Sequence, residues 1–214
     1  MLEIVIAIVG ACIAVGSAVI NGISARRIAV EKESLSSASA ALTVNLERTD
    51  RFFDLATQSR AGADYSIVFL HILPESKGWI RKTLENSIQR TICDALVFGH
   101  RAATGADPND DETRDYERRA HSIVDLERGI ALGVLKTPDN IAKAANADAW
   151  PAFRALREKQ ITDYWKGRSQ ILQEQEKLKT KSTRLDARQE FISNLAVSLQ
   201  ILGLMAVLAK DLLN

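Results

Sequence analysis

The chain has 214 residues, of which 46% are hydrophobic and 26% charged, a mixture that excludes global disorder. Lys and Arg total 28 against 27 Asp and Glu, a net charge of +1. That balance argues against a general nucleic-acid binder, and no nucleic acid is expected as a partner. Four Pro, 11 Gly and 6% aromatics disfavour a β-sandwich or β-barrel and fit long helices. The two cysteines, Cys12 and Cys93, give no disulfide framework.

Residues 4–25, IVIAIVGACIAVGSAVINGISA, contain no charge. About 20 apolar residues span the hydrocarbon core of a bilayer. A cleaved signal peptide would carry a basic start, whereas this chain opens Met1-Leu2-Glu3 and places Arg26 and Arg27 after the run. The spacing predicts a first transmembrane helix over residues 1–25. Helices in lipid associate through small residues. Ala7, Gly10, Ala11, Ala14 and Ala18 supply them, with Gly10, Ala14 and Ala18 as a ladder at intervals of four. Two uses of this face stay open: burial between protomers of a homo-oligomer, the favoured expectation, or packing on a second span of the same chain.

Residues 26–60 hold no Pro or Gly, and Ile28, Leu35 and Leu42 recur every seven, followed by Leu46 and Phe53. Ala61-Gly62-Ala63-Asp64 predicts a helix stop. Residues 66–73, SIVFLHIL, read as a buried turn or short helix ending at Pro74. Ile80, Leu84, Ile88, Ile92 and Leu96 form the apolar stripe of a helix over residues 78–100. A loop over 101–112 precedes a helix over 112–135, and Thr137-Pro138-Asp139 opens a short one. The last helix starts near Asp148 and Pro151. Its seam, Tyr164, Ile171, Leu178, Leu185 and Ile192, repeats every seven, while Arg168, Gln175, Ser182 and Gln189 hold the alternate positions.

A second uncharged run, residues 191–209, is apolar on all sides between Leu195 and Leu208 and includes Ser193, Asn194, Ser198 and Gln200. It predicts a second transmembrane helix over 191–214, with Lys210 reaching the headgroups. Those four polar residues are candidates to line a wet path. Arg26, Arg27, Lys177, Lys179, Lys181, Arg184 and Arg188 flank the two runs on their inner sides. The positive-inside rule then puts the middle in the cytoplasm and both termini outside, in an inner (cytoplasmic) membrane.

The expected fold is all-α. Two transmembrane helices at the chain ends extend into a cytoplasmic antiparallel stalk, residues 26–60 and 150–190 of a 26–190 region, with a small helical domain, residues 64–147, inserted between them. In such a hairpin Leu46 should lie near Ile171, Phe53 near Tyr164 or Trp165, and Leu35 near Ser182, since both helices rise about 1.5 Å per residue.

Candidate chemistry is sparse. Asp107-x-Asn109-x-Asp111 lacks the Gly and terminal Glu of a calcium loop and reads as a helix cap. Glu117, His121 and Asp125 share a helical face but supply too few ligands for a metal site. Arg114 and His121, six residues intervening, resemble the Arg…His signature of HEPN-type ribonucleases; the resemblance covers these two residues and implies a cation and a proton shuttle at a phosphate. No phosphate loop, nucleophile elbow, CxxC or HExxH occurs. The expectation is a non-enzymatic membrane protein with no cofactor, catalytic residue or metal. It self-associates as an assembly or scaffold subunit; its partners are the lipid bilayer, further copies and other membrane proteins. A pore gated by the helical middle is the alternative, and a membrane-tethered ribonuclease the remote one.

Overall fold

The computed structural model describes residues 2–73 and 78–212; the side chains of Leu2, Glu3, Lys210, Asp211 and Leu212 lie outside the description, and with them the expected headgroup contact of Lys210. Among the described residues there are five helices and no strand: α1 Leu2–Ile72, α2 Gly78–Thr104, α3 Asp110–Ala131, α4 Pro138–Ala142 and α5 Ala149–Leu212. The chain divides into two compact units, one of Met1–Leu42 with Gln173–Asn214, the other Thr43–Leu172.

The helix stop expected at Ala61–Asp64 is absent, and residues 66–72 belong to α1 rather than to a separate short helix. Gly62 costs a helix about 1 kcal/mol relative to Ala. The same segment seats Ala63 and Leu70 in the core, and their burial outweighs that cost. α3 ends four residues before the expected Leu135. Gly133 adopts φ +67°, and the Val134 and Gly133 amides donate to the Gly129 and Ile130 carbonyls, closing the helix with a Schellman turn. At its start the Asn109 side chain accepts from the Glu112 amide, and Glu112 reciprocates at the Asn109 amide, so Asn109 serves as a cap. Thr137 caps α4 with Pro138 in its first turn.

The Thr43–Leu172 unit has an ordinary interior. Leu70, Ile88, Ile92, Leu96, Ile123 and Phe153 form its centre, contributed by four helices. Each fully buried side chain of this size stabilises the fold by about 1.5–3 kcal/mol. The α1 and α5 portions run antiparallel here: Phe53 stacks on Tyr164 with ring centroids 4.2 Å apart, and Trp165 meets Phe53 edge-on at 5.9 Å.

In the other unit α1 and α5 again pair antiparallel. Ile28 and Leu35 of α1 pack with Leu185 of α5, with Leu178 and Ile192 alongside. Lys32 bonds Asp186 and donates to Gln189 at 2.7 Å, and Lys181 pairs with Glu31 at 3.1 Å. Exposed pairs of this kind are worth at most about 1 kcal/mol each, so they fix register more than stability. Both end helices are long and apolar enough to cross a membrane, with mean hydropathy 2.4 and 2.0 in their most apolar 18-residue windows.

Candidate functional site

The feature that needs a functional explanation is the pair of apolar stretches, residues 4–25 of α1 and 191–209 of α5. A water-soluble helix pair buries its large apolar side chains and exposes its polar ones. Here the order is reversed. The buried side chains are small: Gly10 and Ser17 on α1, Ala196 and Gly203 on α5, with Ala14 and Val207 half-buried and Val207 reaching Gly10. The large apolar side chains turn outward: Ile4, Val15 and Ile20 on α1, Ile201, Leu204 and Leu208 on α5, all more than half exposed, alongside the smaller or polar Ala11, Ala18, Asn194 and Ser198.

The helices approach most closely at two glycines. A Cβ on Gly203 would lie 2.6 Å from the Gly10 carbonyl oxygen and 3.0 Å from the Ala14 nitrogen; one on Gly10 would lie 2.6 Å from the Gly203 oxygen. Backbone approach of this kind gains van der Waals contact without any large apolar group to bury. Ser17 donates to the Ala14 carbonyl at 2.9 Å and Ser198 to the Asn194 carbonyl at 2.9 Å, so both hydroxyls are satisfied within their own helices.

Of the small residues singled out on α1, Gly10 and Ala14 meet α5, Ala7 is half-buried, and Ala11 and Ala18 are exposed. After Ala14 the contact passes to Ser17 rather than Ala18. A seam read every 3.5 residues steps by three and four alternately, whereas the ladder steps by four. Of the polar positions on α5, Ser193 and Gln200 are half-buried, and Asn194 and Ser198 exposed. Arg26, Arg27, Lys177, Lys179, Lys181, Arg184 and Arg188 are all exposed.

Unit Thr43–Leu172 holds the remaining polar chemistry. Glu127, nearly buried, accepts from the Trp150 indole at 2.6 Å and bonds His71 Nε2 at 2.7 Å, tying α1, α3 and α5 together. Asp50 accepts from the Tyr164 hydroxyl at 2.7 Å and pairs with Arg168 at 3.2 Å. Burial and then Asp50 push the Tyr164 phenol up to about 12. His100 Nδ1 bonds the Tyr116 hydroxyl at 3.1 Å. Burial, then the Glu112 charge, raises the Tyr116 phenol. Burial, then Glu117 and Asp94, raises the Cys93 thiol, which keeps it protonated and poorly nucleophilic. Burial, then the Arg60 charge, lowers the Arg157 guanidinium. The cavity beside Phe53, Phe153 and Gln160 has a volume of about 20 Å³, room for a water molecule.

Arg114 and His121 are exposed on α3; Arg114 lies 3.7 Å from Asp111 and His121 3.3 Å from Asp125. These are two local ion pairs, about 10 Å apart along the helix by its rise. Among the described residues no group of three or more His, Cys, Asp or Glu is placed to hold a metal ion. Sequence reasoning missed Asp50, Glu127 and Lys32. Asp50 and Lys32 were within reach of the hairpin numbering that pairs Phe53 with Tyr164. Glu127 left no signal, because its partners come from helices distant in sequence. No family model, no curated protein and no solved structure matches the chain.

Proposed function

We propose that the chain is a non-enzymatic integral membrane protein that acts as an assembly subunit. Two spans, residues 4–25 and 191–209, hold a helical domain in the cytoplasm, and the intervening stretches of α1 and α5 form an antiparallel stalk. The observation that carries this reading is the reversed polarity of the apolar helix pair. In water, outward Ile, Val and Leu over two helices would be strongly unfavourable, and a seam of Gly, Ala and Ser would bury too little to compensate. In lipid the outward residues are solvated, and small residues give the close packing that joins helices there. Ser17 and Ser198 bond their own backbones, which satisfies hydroxyls that hydrocarbon would leave without water. The exposed basic residues beside both stretches suit the cytoplasmic headgroups.

The intrachain contact at Gly10 and Gly203 supports the second of the two uses expected of the small-residue face. Self-association then uses another surface. Alkaline carbonate extraction combined with reporter enzymes tests the reading. The chain should stay in the membrane pellet. A reporter active only outside the cytoplasm should work when fused at Asn214 and fail within residues 101–111. Release of the chain by carbonate, or the inverse reporter pattern, would refute the anchor or its orientation.

A further inference from the structure

Within the Thr43–Leu172 unit the outer side of α1 changes character along its length. Glu47, Arg51, Asp54 and Gln58 give it an exposed polar surface. Beyond them the same side carries Tyr65, Val68, Phe69 and Ile72, exposed to 71%, 55%, 62% and 71%. These four stand at i, i+3, i+4 and i+7, one continuous stripe. The opposite side of the same turns is already committed to the core through Ala63, Ile67 and Leu70. The residues 66–73 expected to be buried are therefore apolar on two sides, and core packing explains only one.

We propose that this stripe is where two copies of the chain pair, α1 against α1 in antiparallel. The inference rests on the assembly-subunit reading and names its self-association surface. Three observations select a second copy as the occupant. The first is area. Two aromatics and two aliphatics at these exposures offer roughly 500 Å² per copy. Two such faces bury up to roughly 1,000 Å² in total, about the least that a specific interface needs.

The second observation is symmetry. A two-fold contact requires a surface complementary to itself. With the axis between Val68 and Phe69, Val68 meets Phe69 and Tyr65 meets Ile72, so each smaller side chain faces a larger one. The third is charge. Residues 61–73 contain no Lys or Arg, and their ionisable side chains are Asp64, Tyr65 and His71. Asp64 pairs with Arg60 and His71 with Glu127. A lipid surface draws in apolar helix faces that carry basic residues among them, and residues 61–73 carry none.

The test uses the full chain in native lipid particles and in mild detergent. Wild type should have the mass of a dimer. Phe69→Glu and Phe69→Lys should each halve that mass while leaving the helical circular dichroism unchanged. In a Cys12→Ser, Cys93→Ser background, Val68→Cys should form a disulfide-linked dimer on oxidation in membranes, and Asp54→Cys should not. A monomeric wild type would overturn both this pairing and the self-associating subunit. An oligomer that ignores Phe69→Glu and fails to cross-link at position 68 would overturn this surface alone. A monomer in which added vesicles shield Val68→Cys from a water-soluble maleimide would assign the stripe to lipid and end the proposal.

Discussion

The same two helices meet under opposite rules at different points along their length. In residues 4–25 and 191–209 the buried seam is Gly10, Ser17, Ala196 and Gly203, and the large apolar side chains lie outside. In residues 26–42 and 173–190 the seam is Ile28, Leu35, Leu178 and Leu185, and the outside carries Glu33, Lys179, Lys181 and Arg188. The change falls at Arg26 on α1 and Glu190 on α5. A seam of large side chains gains by leaving water, whereas a seam of small ones gains only by close backbone approach. On the proposed membrane reading the contrast reports the solvent on each side of the boundary, and it can be broken by substitutions that exchange the two rules.

The largest effect should come from one charge placed on matched outward positions. Val15 is 64% exposed and Val30 62% exposed, on the same helix. Val15→Arg should cost about 2.5–3.5 kcal/mol of membrane insertion. Val30→Arg should change stability by about 0.5 kcal/mol or less, as surface substitutions do. Fractionation of the two variants after carbonate treatment measures the difference; equal behaviour would erase the boundary. Next come seam substitutions of opposite sense. Leu185→Ala should cost about 2–3 kcal/mol by emptying a core position. Gly203→Leu should cost about 1–3 kcal/mol by overfilling one, since its Cβ would collide with the Gly10 backbone. Thermal unfolding in mild detergent reads both, and a stabilised Gly203→Leu would show that the two helices do not touch there.

A smaller effect extends the contrast to the Thr43–Leu172 unit, where the α1 and α5 contact tolerates a buried polar group because it is partnered. Tyr164→Phe removes the hydrogen bond to Asp50 and should cost about 1 kcal/mol at neutral pH. The phenol is raised from 10.0 to about 12, so the folded chain holds this proton longer than the unfolded one. Its contribution is full below about pH 10 and is lost as the pH rises through 12. Stability measured across that window should fall more steeply in wild type than in Tyr164→Phe. Parallel slopes would mean that Tyr164 is not held by Asp50.

Much of the helical content was legible in the sequence because it rests on spacing. The seven-residue repeats through Ile28 and Leu35, and through Leu178 and Leu185, mark the faces that the structure buries. The contact of Phe53 with Tyr164 and Trp165 followed from helical rise once the antiparallel hairpin was registered on the ends of the two apolar runs. The break at Gly62 did not survive, because a local penalty of about 1 kcal/mol is smaller than the burial gained by Ala63 and Leu70. The apolar run at 66–73 could not be divided into inward and outward residues until its neighbours were in place.

By itself the sequence determined that the chain is helical, that its ends are apolar over membrane-spanning lengths, and where charge resumes, since periodicity and composition are local properties. Tertiary structure decided which residues face which. It set Gly10 against Gly203 rather than leaving the small face free, closed Glu127 between His71 and Trp150, and turned Tyr65, Phe69 and Ile72 outward. Each of these depends on a helix remote in sequence occupying one side of another, and no local pattern encodes which side that is.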